Sequence, residues 1–584
     1  MKFRTFTLCA ALALLGAVSL AGRQPAHAAD DYKLGPDSME QPGVPKGDVT
    51  YFKAKNSKVF PGSEHDVWVY VPKQYDASKP ACVMIFQDGG GFQDRNGGFR
   101  VPVVFDNLIA KKQMPVTVAI MINPGVVPAA GPNALPRYNR SFEYDDPTDR
   151  YARFLLEEIL PEVGKKVNLS QNPDDRGLCG ASSGGIASFV AAWTRPDQFH
   201  RVISYIGSFT DLRGGNTFAS DIRKYEPRPL RVFMQDGTAD QDIYSGNWYI
   251  GNQDVAAALR FARNDMQFVV GTQGHSGQQG ASILPDALRW LWRDYPAPIR
   301  PATSTPQPIM RILLSDEVWQ PVTAPFTAGA LAADSAGNVY VTAHPSGQIH
   351  KISPDGTLSL FVDSKQDVSA LAFGPDGKLY AAQNGAKRIV AYDATGKETV
   401  IARGVTANGL TIDYKGEIYL TDARDGKIYR IDKSGRRMLA DAGLPNATGL
   451  ALTPDQTLLQ VTTPGKLLTC YQIQPDGALG AKQEFFDIHI SYNAPGSGAD
   501  GMTTDTLGWL YVATQSGIQV LDQAGRVNGI IANPDRRAAS AVVFGGVNHD
   551  ILTIVAEGKI FRRATRAKGV LSSEAPIKPP GPRL

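Results

Sequence analysis

Short apolar runs alternate with longer amphipathic segments before residue 295. The strand-like runs cover residues 66–71, 82–86, 116–121, 201–205, 230–234 and 266–270, and a helix is predicted over 151–163. Nearly continuous apolar strands separated by helices are typical of a mostly parallel sheet with both faces covered. The pattern therefore predicts an α/β domain over residues 42–295.

A different pattern, a strand repeat, follows residue 320. Its six units begin with the runs 337–341, 377–381, 416–420, 456–461, 508–512 and 550–554. The period of about 40 residues, with one longer gap, is the length of a four-stranded propeller blade. Several units continue with a second strand and a tight turn, as in 389–396 and 428–435. A β-sandwich does not repeat its sequence at a fixed period, so the pattern favours a six-bladed β-propeller over 320–566.

Two further segments have a distinct composition. Residues 296–308 are rich in proline, which favours an extended linker between the two domains. At the N-terminus, Lys2 and Arg4 precede the apolar run 6–21 and the sequence Ala-His-Ala at 26–28. This arrangement predicts a signal peptide over 1–28 and a periplasmic or secreted protein, with no transmembrane segment in the mature chain.

Composition excludes several classes of protein. The 584 residues are 43% hydrophobic and 20% charged, which is ordinary for globular domains. The net charge is only +3 and no basic run is present, so nucleic acid is not an expected partner. Cys82, Cys179 and Cys470 remain after signal removal, and we expect all three to be reduced and buried, since the first two fall at opposite ends of neighbouring strands.

The run from 180 to 185, Gly-Ala-Ser-Ser-Gly-Gly, lies between a short apolar stretch and a helical pattern. A strand, a sharp turn and a helix would hold the Ser182 hydroxyl at the edge of the sheet, where it can act as a nucleophile. The glycines leave room for this strained turn. A glycine-rich loop with incidental serines is the alternative, so the rest of the domain must decide between the two.

A nucleophilic serine of this type needs a histidine base later in the same domain. His200 begins a strand at the opposite end of the sheet, whereas His275 follows the strand 266–270 and precedes a helix. A loop at the carboxyl edge of the sheet is where a general base can reach the serine. We therefore predict His275 as the base.

The acid that orients this histidine should follow the preceding strand, 230–234. Asp236, Asp240 and Asp242 all lie there. Asp236 is close enough to the strand end to favour a turn-forming role. Asp240 is the preferred acid, and Asp242 remains an alternative.

An oxyanion hole requires backbone N–H groups directed at the developing negative charge. Ser183, the residue after the nucleophile, should supply one of them. The second is expected from Gly89 or Gly90, in the glycine run that follows an early strand.

Together these residues resemble the esterase family that includes enterochelin, feruloyl and carbohydrate esterases, over about residues 42–295. The segments that carry the resemblance are 87–89, 140–143, 156–161, 180–185, 237–240 and 274–275. The resemblance implies an α/β-hydrolase fold, a triad of Ser182, Asp240 and His275, and no cofactor for the esterase. Its substrates are small-molecule or carbohydrate esters, and it does not select one acyl or alcohol group.

The repeat half looks like the gluconolactonase and senescence-marker-protein propellers, which hold a divalent cation such as calcium in the central channel. Asn408 and Asp500 match two of the expected ligand positions. The chain has 329–332, Gly-Ala-Leu-Ala, where the family has a glutamate, and Thr448 where it has a second asparagine, with Asn446 displaced. Loss of a charged ligand and an amide weakens a site for a hard cation.

Three functions follow from these patterns. The preferred one is an exported serine carboxylic-ester hydrolase that works through an acyl-enzyme, with the propeller as an accessory domain. The second is a metal-dependent sugar lactonase in the propeller. The third is a non-catalytic glycan-binding protein that retains a hydrolase fold.

Overall fold

The structure is a computed structural model, and it describes residues 32–422, 424–492 and 494–582. The predicted signal peptide over 1–28 lies outside the described residues. Within them, no helix combines the length and the apolar character that crossing a bilayer requires.

The N-terminal half is built on a twisted sheet of eight strands. The strands in chain order, including two short hairpins outside the sheet, are β1 (Asp48–Ala54), β2 (His65–Val71), β3 (Cys82–Gln87), β4 (Thr117–Ile122), β5 (Val126–Val127), β6 (Arg137–Tyr138), β7 (Arg176–Ala181), β8 (Arg201–Tyr205), β9 (Arg231–Gly237), β10 (Asp242–Ile243), β11 (Gly246–Asn247) and β12 (Asp265–Gly271). The sheet order is β1-β2-β4-β3-β7-β8-β9-β12, and β10-β11 and β5-β6 form the hairpins. In sheet order from β4 to β12, each strand is parallel to its neighbours. The β1-β2 and β2-β4 pairs are antiparallel.

Helices cover both faces of this sheet. They are α1 (Val101–Ala110), α2 (Arg140–Tyr144), α3 (Arg150–Phe154), α4 (Leu160–Gly164), α5 (Ser183–Thr194), α6 (Phe218–Lys224), α7 (Trp248–Phe261) and α8 (Gln278–Trp292). One apolar core contains side chains of α5 and α7, and a second contains side chains of α1 and α8. Because the sheet is covered on both sides, every residue of β3 and β4 is buried, as their continuous apolar runs predict.

The sequence prediction differs from the structure in two places. The helix predicted over 151–163 is divided into α3, a π-helical turn at Leu155–Ile159 and α4. Pro161, which has no amide hydrogen, lies at the start of α4 and cannot continue the helical hydrogen bonds of the preceding turn. The edge strand β1 was not predicted, since most of its residues are exposed and it lacks an apolar run.

The C-terminal half is a six-bladed β-propeller, as predicted. The strands of the first five blades are β14 to β17 (Thr327–Ala333, Val339–His344, Gln348–Ile352, Leu358–Asp363), β18 to β21 (Val368–Phe373, Leu379–Gln383, Arg388–Tyr392, Glu398–Arg403), β22 to β25 (Gly409–Ile412, Ile418–Asp422, Lys427–Ile431, Arg437–Ala442), β26 to β29 (Leu450–Leu452, Leu458–Val461, Leu467–Ile473, Leu479–Asp487) and β30 to β33 (Met502–Thr504, Leu510–Thr514, Gly517–Leu521, Val527–Ile531). The sixth blade consists of β34 (Ala539–Gly545), β35 (Ile551–Ala556), β36 (Lys559–Ala564) and β13 (Gln320–Val322).

The ring closes through β13, which comes from the N-terminal end of the repeat and pairs with β36 of the last blade. The predicted turns inside the blades are also present. In one of them the Asp393 carboxylate accepts the amides of Thr395 and Lys397, and Gly396 takes a φ of +81°. This conformation favours glycine and explains the repeated Asp and Gly positions.

The two halves contact each other through charged, backbone and apolar groups, and one apolar core contains side chains from both. Arg563 of the sixth blade donates two hydrogen bonds, of 3.0 and 2.7 Å, to the Glu226 carboxylate. Tyr225 forms a parallel bridge with Ile530 of β33. The predicted linker leads from α8 to a 3₁₀ turn at Pro308–Arg311. All three cysteines in the described residues are free and buried, which confirms the prediction.

Candidate active site

The candidate residues lie on loops at the carboxyl ends of the parallel strands. Gly89 follows β3, Ser182 follows β7, Asp240 follows β9 and His275 follows β12. In a parallel sheet these ends share one edge, so residues far apart in sequence can meet there.

The turn at Ser182 is strained in the way that the sequence predicts. Ser182 has φ +59° and ψ −125° and immediately precedes α5. A β-carbon on Gly180 would lie 2.3 Å from the Gly184 carbonyl oxygen, and one on Gly185 would lie 2.8 Å from the Ser204 hydroxyl. Both positions therefore need glycine, because a side chain would collide with the tight turn or with the neighbouring strand.

The structure brings Ser182, His275 and Asp240 together. The Ser182 Oγ lies 2.8 Å from His275 Nε2, and His275 Nδ1 lies 2.7 Å from Asp240 Oδ1. With the proton on Nδ1, the imidazole donates to Asp240 and accepts from Ser182. This is the arrangement that a serine nucleophile and a general base require.

The environments of the three aspartates differ. Asp242 is exposed in the β10-β11 hairpin, and Asp240 is buried against His275. Burial opposes the ionisation of Asp240, but the contacts with His275, Asp236 and the Gln241 amide outweigh it and leave its pKa below the ordinary value. Asp240 is therefore held as the carboxylate that can support a cationic imidazole. Asp236, which the sequence placed in a turn, does accept the Gly237 amide but is fully buried.

The predicted oxyanion-hole residues lie beside the turn at Ser182. Ser183 is the first residue of α5, where no helical carbonyl is placed to accept its amide. The Gly90 amide donates to the Asn123 side chain at 2.8 Å, which favours Gly89 over Gly90. A β-carbon on Gly89 would lie 2.3 Å from the backbone of Ile122, so only glycine fits there.

Several neighbours of the site were not identified from the sequence. The Ser208 Oγ lies 3.4 Å from Ser182 Oγ and accepts the indole N–H of Trp248 at 3.3 Å. The Trp248 ring packs edge-on against His275, with 5.7 Å between ring centroids. The glycine before Ser208, at the end of a strand, was the only sequence signal for this loop.

An ion pair between Arg140 and Asp88 lies beside the turn at Ser182. Arg140 donates two hydrogen bonds of 2.9 Å to the Asp88 carboxylate and a third, of 3.2 Å, to the Ser183 hydroxyl. That hydroxyl lies 3.2 Å from Asp145, whose pKa is raised by burial. The pair fixes the β3 loop against the start of α5, which are the two segments that carry the predicted oxyanion-hole amides.

His200, the histidine that the sequence analysis rejected, lies at the other end of the sheet. Its Nδ1 is 2.7 Å from Asp174 and its Nε2 is 2.8 Å from the Pro196 carbonyl. It is buried beside the start of β8 and has a structural role.

The propeller residues proposed as metal ligands do not fit a site for a hard divalent cation. Asn408 is exposed, and Asp500 is mostly buried beside Thr448 with its pKa raised by that burial. A β-carbon on Gly329, where the resembling family has glutamate, would lie 2.4 Å from the His344 ring. The described residues contain no cluster of three or more His, Cys, Asp or Glu side chains suited to a metal. One carboxylate and one amide are fewer oxygen ligands than such a cation takes.

Comparison with known protein families divides the chain in the same way. Residues 57–267 match the esterase family model, described as "Putative esterase". Residues 326–557 match the model of the SMP-30/gluconolactonase/LRE-like region. The chain thus joins an esterase-family segment to a gluconolactonase-like propeller, which confirms both resemblances.

Individual relatives also match one half each. A gluconolactonase of Zymomonas mobilis subsp. mobilis (strain ATCC 31821 / ZM4 / CP4) is 24% identical over 274 residues, covering 40% of this chain and 77% of the relative. An iron(III) enterobactin esterase of Dickeya dadantii (strain 3937) is 29% identical over 152 residues, which is 24% of this chain and 34% of the esterase. The crystal structure of a Shigella flexneri enterobactin esterase is 20% identical, with a TM-score of 0.36, and the match covers 45% of this chain and 63% of that one. The family match over residues 57–267 and the iron(III) enterobactin esterase relative support an ester hydrolase in the N-terminal half.

Proposed function

We propose that this protein is a serine carboxylic-ester hydrolase that acts through an acyl-enzyme formed on Ser182. One observation carries the proposal: the Ser182 hydroxyl is 2.8 Å from an imidazole whose other nitrogen is 2.7 Å from a buried carboxylate. The match of residues 57–267 to the esterase family supports the same chemistry.

In the acylation step, Ser182 Oγ attacks the ester carbonyl carbon while its proton moves to His275 Nε2. The Asp240 carboxylate stabilises the resulting imidazolium through the Nδ1 hydrogen bond. The amides of Gly89 and Ser183 would bind the oxyanion of the tetrahedral intermediate. Its collapse breaks the bond to the alcohol oxygen, which takes the proton from His275 and leaves as the free alcohol.

In the deacylation step, water attacks the acyl carbon and gives a proton to His275. The second tetrahedral intermediate collapses, Ser182 Oγ recovers its proton from the imidazolium, and a carboxylic acid leaves.

The substrate class that we propose is a carbohydrate, feruloyl or siderophore-type ester. The iron(III) enterobactin esterase relative supports the last of these. Two segments carry exposed apolar side chains suited to bind an organic acyl or alcohol group: Leu135 and Tyr138 lie before α2, and Tyr244 and Ile250 lie in the β10-β11 hairpin and the first turn of α7. We further propose export to the periplasm or the medium, on the basis of the segment 1–28.

A lactonase in the propeller is the second candidate. The match of residues 326–557 and the Zymomonas mobilis gluconolactonase relative favour it. The donor set around Asn408 and Asp500 does not, so we propose that the propeller is an accessory domain. A glycan-binding protein without catalysis is the third, and it would turn over no activated ester.

Chelation is expected to leave ester hydrolysis unchanged, because every proton in the proposed reaction is moved by Ser182, His275 or water. Initial rates on aryl, feruloyl, acetyl-sugar and sugar-lactone substrates, with and without EDTA, test this for the wild type and for Ser182→Ala. Lactone hydrolysis that persists in Ser182→Ala and disappears with EDTA would establish the propeller lactonase instead.

A further inference from the structure

The Asp236 carboxyl lies behind the proposed acid of the triad. It is fully buried near the end of β9. Its Oδ1 accepts the Gly237 amide at 2.7 Å. Its Oδ2 is buried and receives no hydrogen bond from the described residues. A buried oxygen with no donor is costly, so its protonation state needs an explanation.

Asp240 also has one carboxylate oxygen without a hydrogen-bond donor, the one that does not contact His275. Its Oδ1 accepts from His275 Nδ1 at 2.7 Å and from the Gln241 amide at 2.6 Å. Its Oδ2 is buried and likewise lacks a donor among the described residues. The Asp236 and Asp240 carboxyls are within hydrogen-bonding contact of each other. One proton between them would satisfy both oxygens, whereas two ionised carboxylates would repel.

The third group in contact with Asp236 is Asn252 of α7. Its amide nitrogen donates to the carbonyls of Gly207 and Trp248, at 2.8 and 3.0 Å. Its Oδ1 is buried without a donor in the described chain. The contact with Asn252 lowers the pKa of Asp236, but burial and the neighbouring Asp240 raise it by more.

We propose that Asp236 is a positioning residue that remains protonated in the active protein and donates a hydrogen bond from Oδ2 to Asp240 Oδ2. This bond holds the Asp240 carboxylate in the orientation that His275 needs. The positioning role rests on the proposed function, whereas the protonation of Asp236 does not depend on it.

The electrostatic surroundings support this state. Burial and the neighbouring Asp240 raise the pKa of Asp236 to about 8. The charged groups acting on the pair are Asp240 and, through it, His275, and no cation is among the main contributors at Asp236. Above about pH 8 a second negative charge would therefore form beside Asp240 and the hydrogen bond between them would be lost.

The sign of the stability effect follows from this pKa. Between the ordinary pKa of 3.8 and about 8, the unfolded chain releases the Asp236 proton while the folded protein keeps it. Stability contributed by this group is therefore full at low pH, falls as pH rises through that window, and is constant above it. Asparagine at 236 does not titrate, and its NH₂ group can donate to Asp240 Oδ2.

The test compares Asp236→Asn, Asp236→Ala and the exposed control Asp254→Asn in the full chain. Relative to the wild type, the Tm of Asp236→Asn should rise progressively from pH 4 to pH 8, and the difference should then stay constant. Asp254→Asn should show no such pH dependence. A constant difference over the whole range would overturn the proposal, and this readout is independent of any enzymatic activity.

The catalytic part is read from kcat on an activated ester. Asp236→Ala should lower kcat about 10- to 100-fold with little change in KM, the range seen for residues that orient a metal ligand through a hydrogen bond. Asp236→Asn should restore kcat to near the wild-type value at pH 7 and remove any alkaline decrease caused by Asp236. Wild-type kcat in Asp236→Ala would overturn the positioning role. Full activity in Ser182→Ala would instead overturn the proposed function and leave the Tm result standing.

Discussion

Replacing Ser182 with alanine is expected to lower kcat/KM for activated esters by roughly 10⁴- to 10⁶-fold. The variant loses the hydroxyl placed 2.8 Å from the His275 imidazole, so no acyl-enzyme can form at residue 182. Residual turnover would come from binding and from the oxyanion-hole amides. The measurement is single-substrate kinetics on an aryl ester with purified wild type and variant.

The fold should not be affected by this change. Alanine removes only the side-chain oxygen of residue 182. The backbone hydrogen bond from its amide to the Tyr205 carbonyl stays in place. Ser220→Ala, on the exposed side of α6, is the matched control and should retain wild-type rates. An unchanged rate in Ser182→Ala, with Tm unaltered, would refute the proposed nucleophile.

Asp240→Asn is expected to lower kcat about 10⁴-fold, because an amide stabilises the wrong histidine tautomer. The asparagine NH₂ would donate to His275 Nδ1 and leave the proton on Nε2, where the imidazole can no longer accept from Ser182. KM should change little, since Asp240 is buried behind His275 and does not reach the substrate. The pH dependence of kcat on an aryl ester provides the measurement.

Asp242→Asn is the control that separates the two acids left open by the sequence. Asp242 is exposed in the β10-β11 hairpin, so its neutral variant should keep the wild-type kcat. A large loss in Asp242→Asn together with normal activity in Asp240→Asn would show that the loop takes a different arrangement in the working enzyme.

Much of the architecture follows from periodicity. The continuous apolar runs identify β3 and β4, because only strands buried on both faces tolerate them. The order of strand, serine turn and later histidine predicts that His275 lies beside Ser182, since parallel strands bring their carboxyl ends to one edge. The propeller follows from a strand repeat of fixed length. These features are local or topological, and a single sequence contains them.

Other features depend on tertiary contacts that no local pattern records. Asp236 near the end of β9 and Asp240 just after it have different surroundings, because the first contacts Asn252 of α7 and the second contacts His275. Trp248 packs against His275 from the start of a helix with no distinctive motif. The closing strand β13 is only three residues long, too short to be recognised before the ring is seen.

Gly329 stands where the resembling propellers have a glutamate, and its surroundings explain the difference. The sequence shows that glycine replaces the glutamate of the resembling propellers. The structure adds that His344 occupies the adjacent space, so a longer side chain would not fit without moving that ring. The substitution is therefore accommodated by its surroundings, which favours an accessory role for the propeller over a cation site.

Labelling with a fluorophosphonate tests the central claim most directly, because the probe forms a P–O bond to an activated serine and releases fluoride. Peptide mass spectrometry should locate a single adduct on Ser182 in the native protein. The adduct should be absent from Ser182→Ala and strongly reduced in His275→Ala. Absence of label at Ser182 in protein that hydrolyses esters, or a stoichiometric adduct on another serine, would contradict the account.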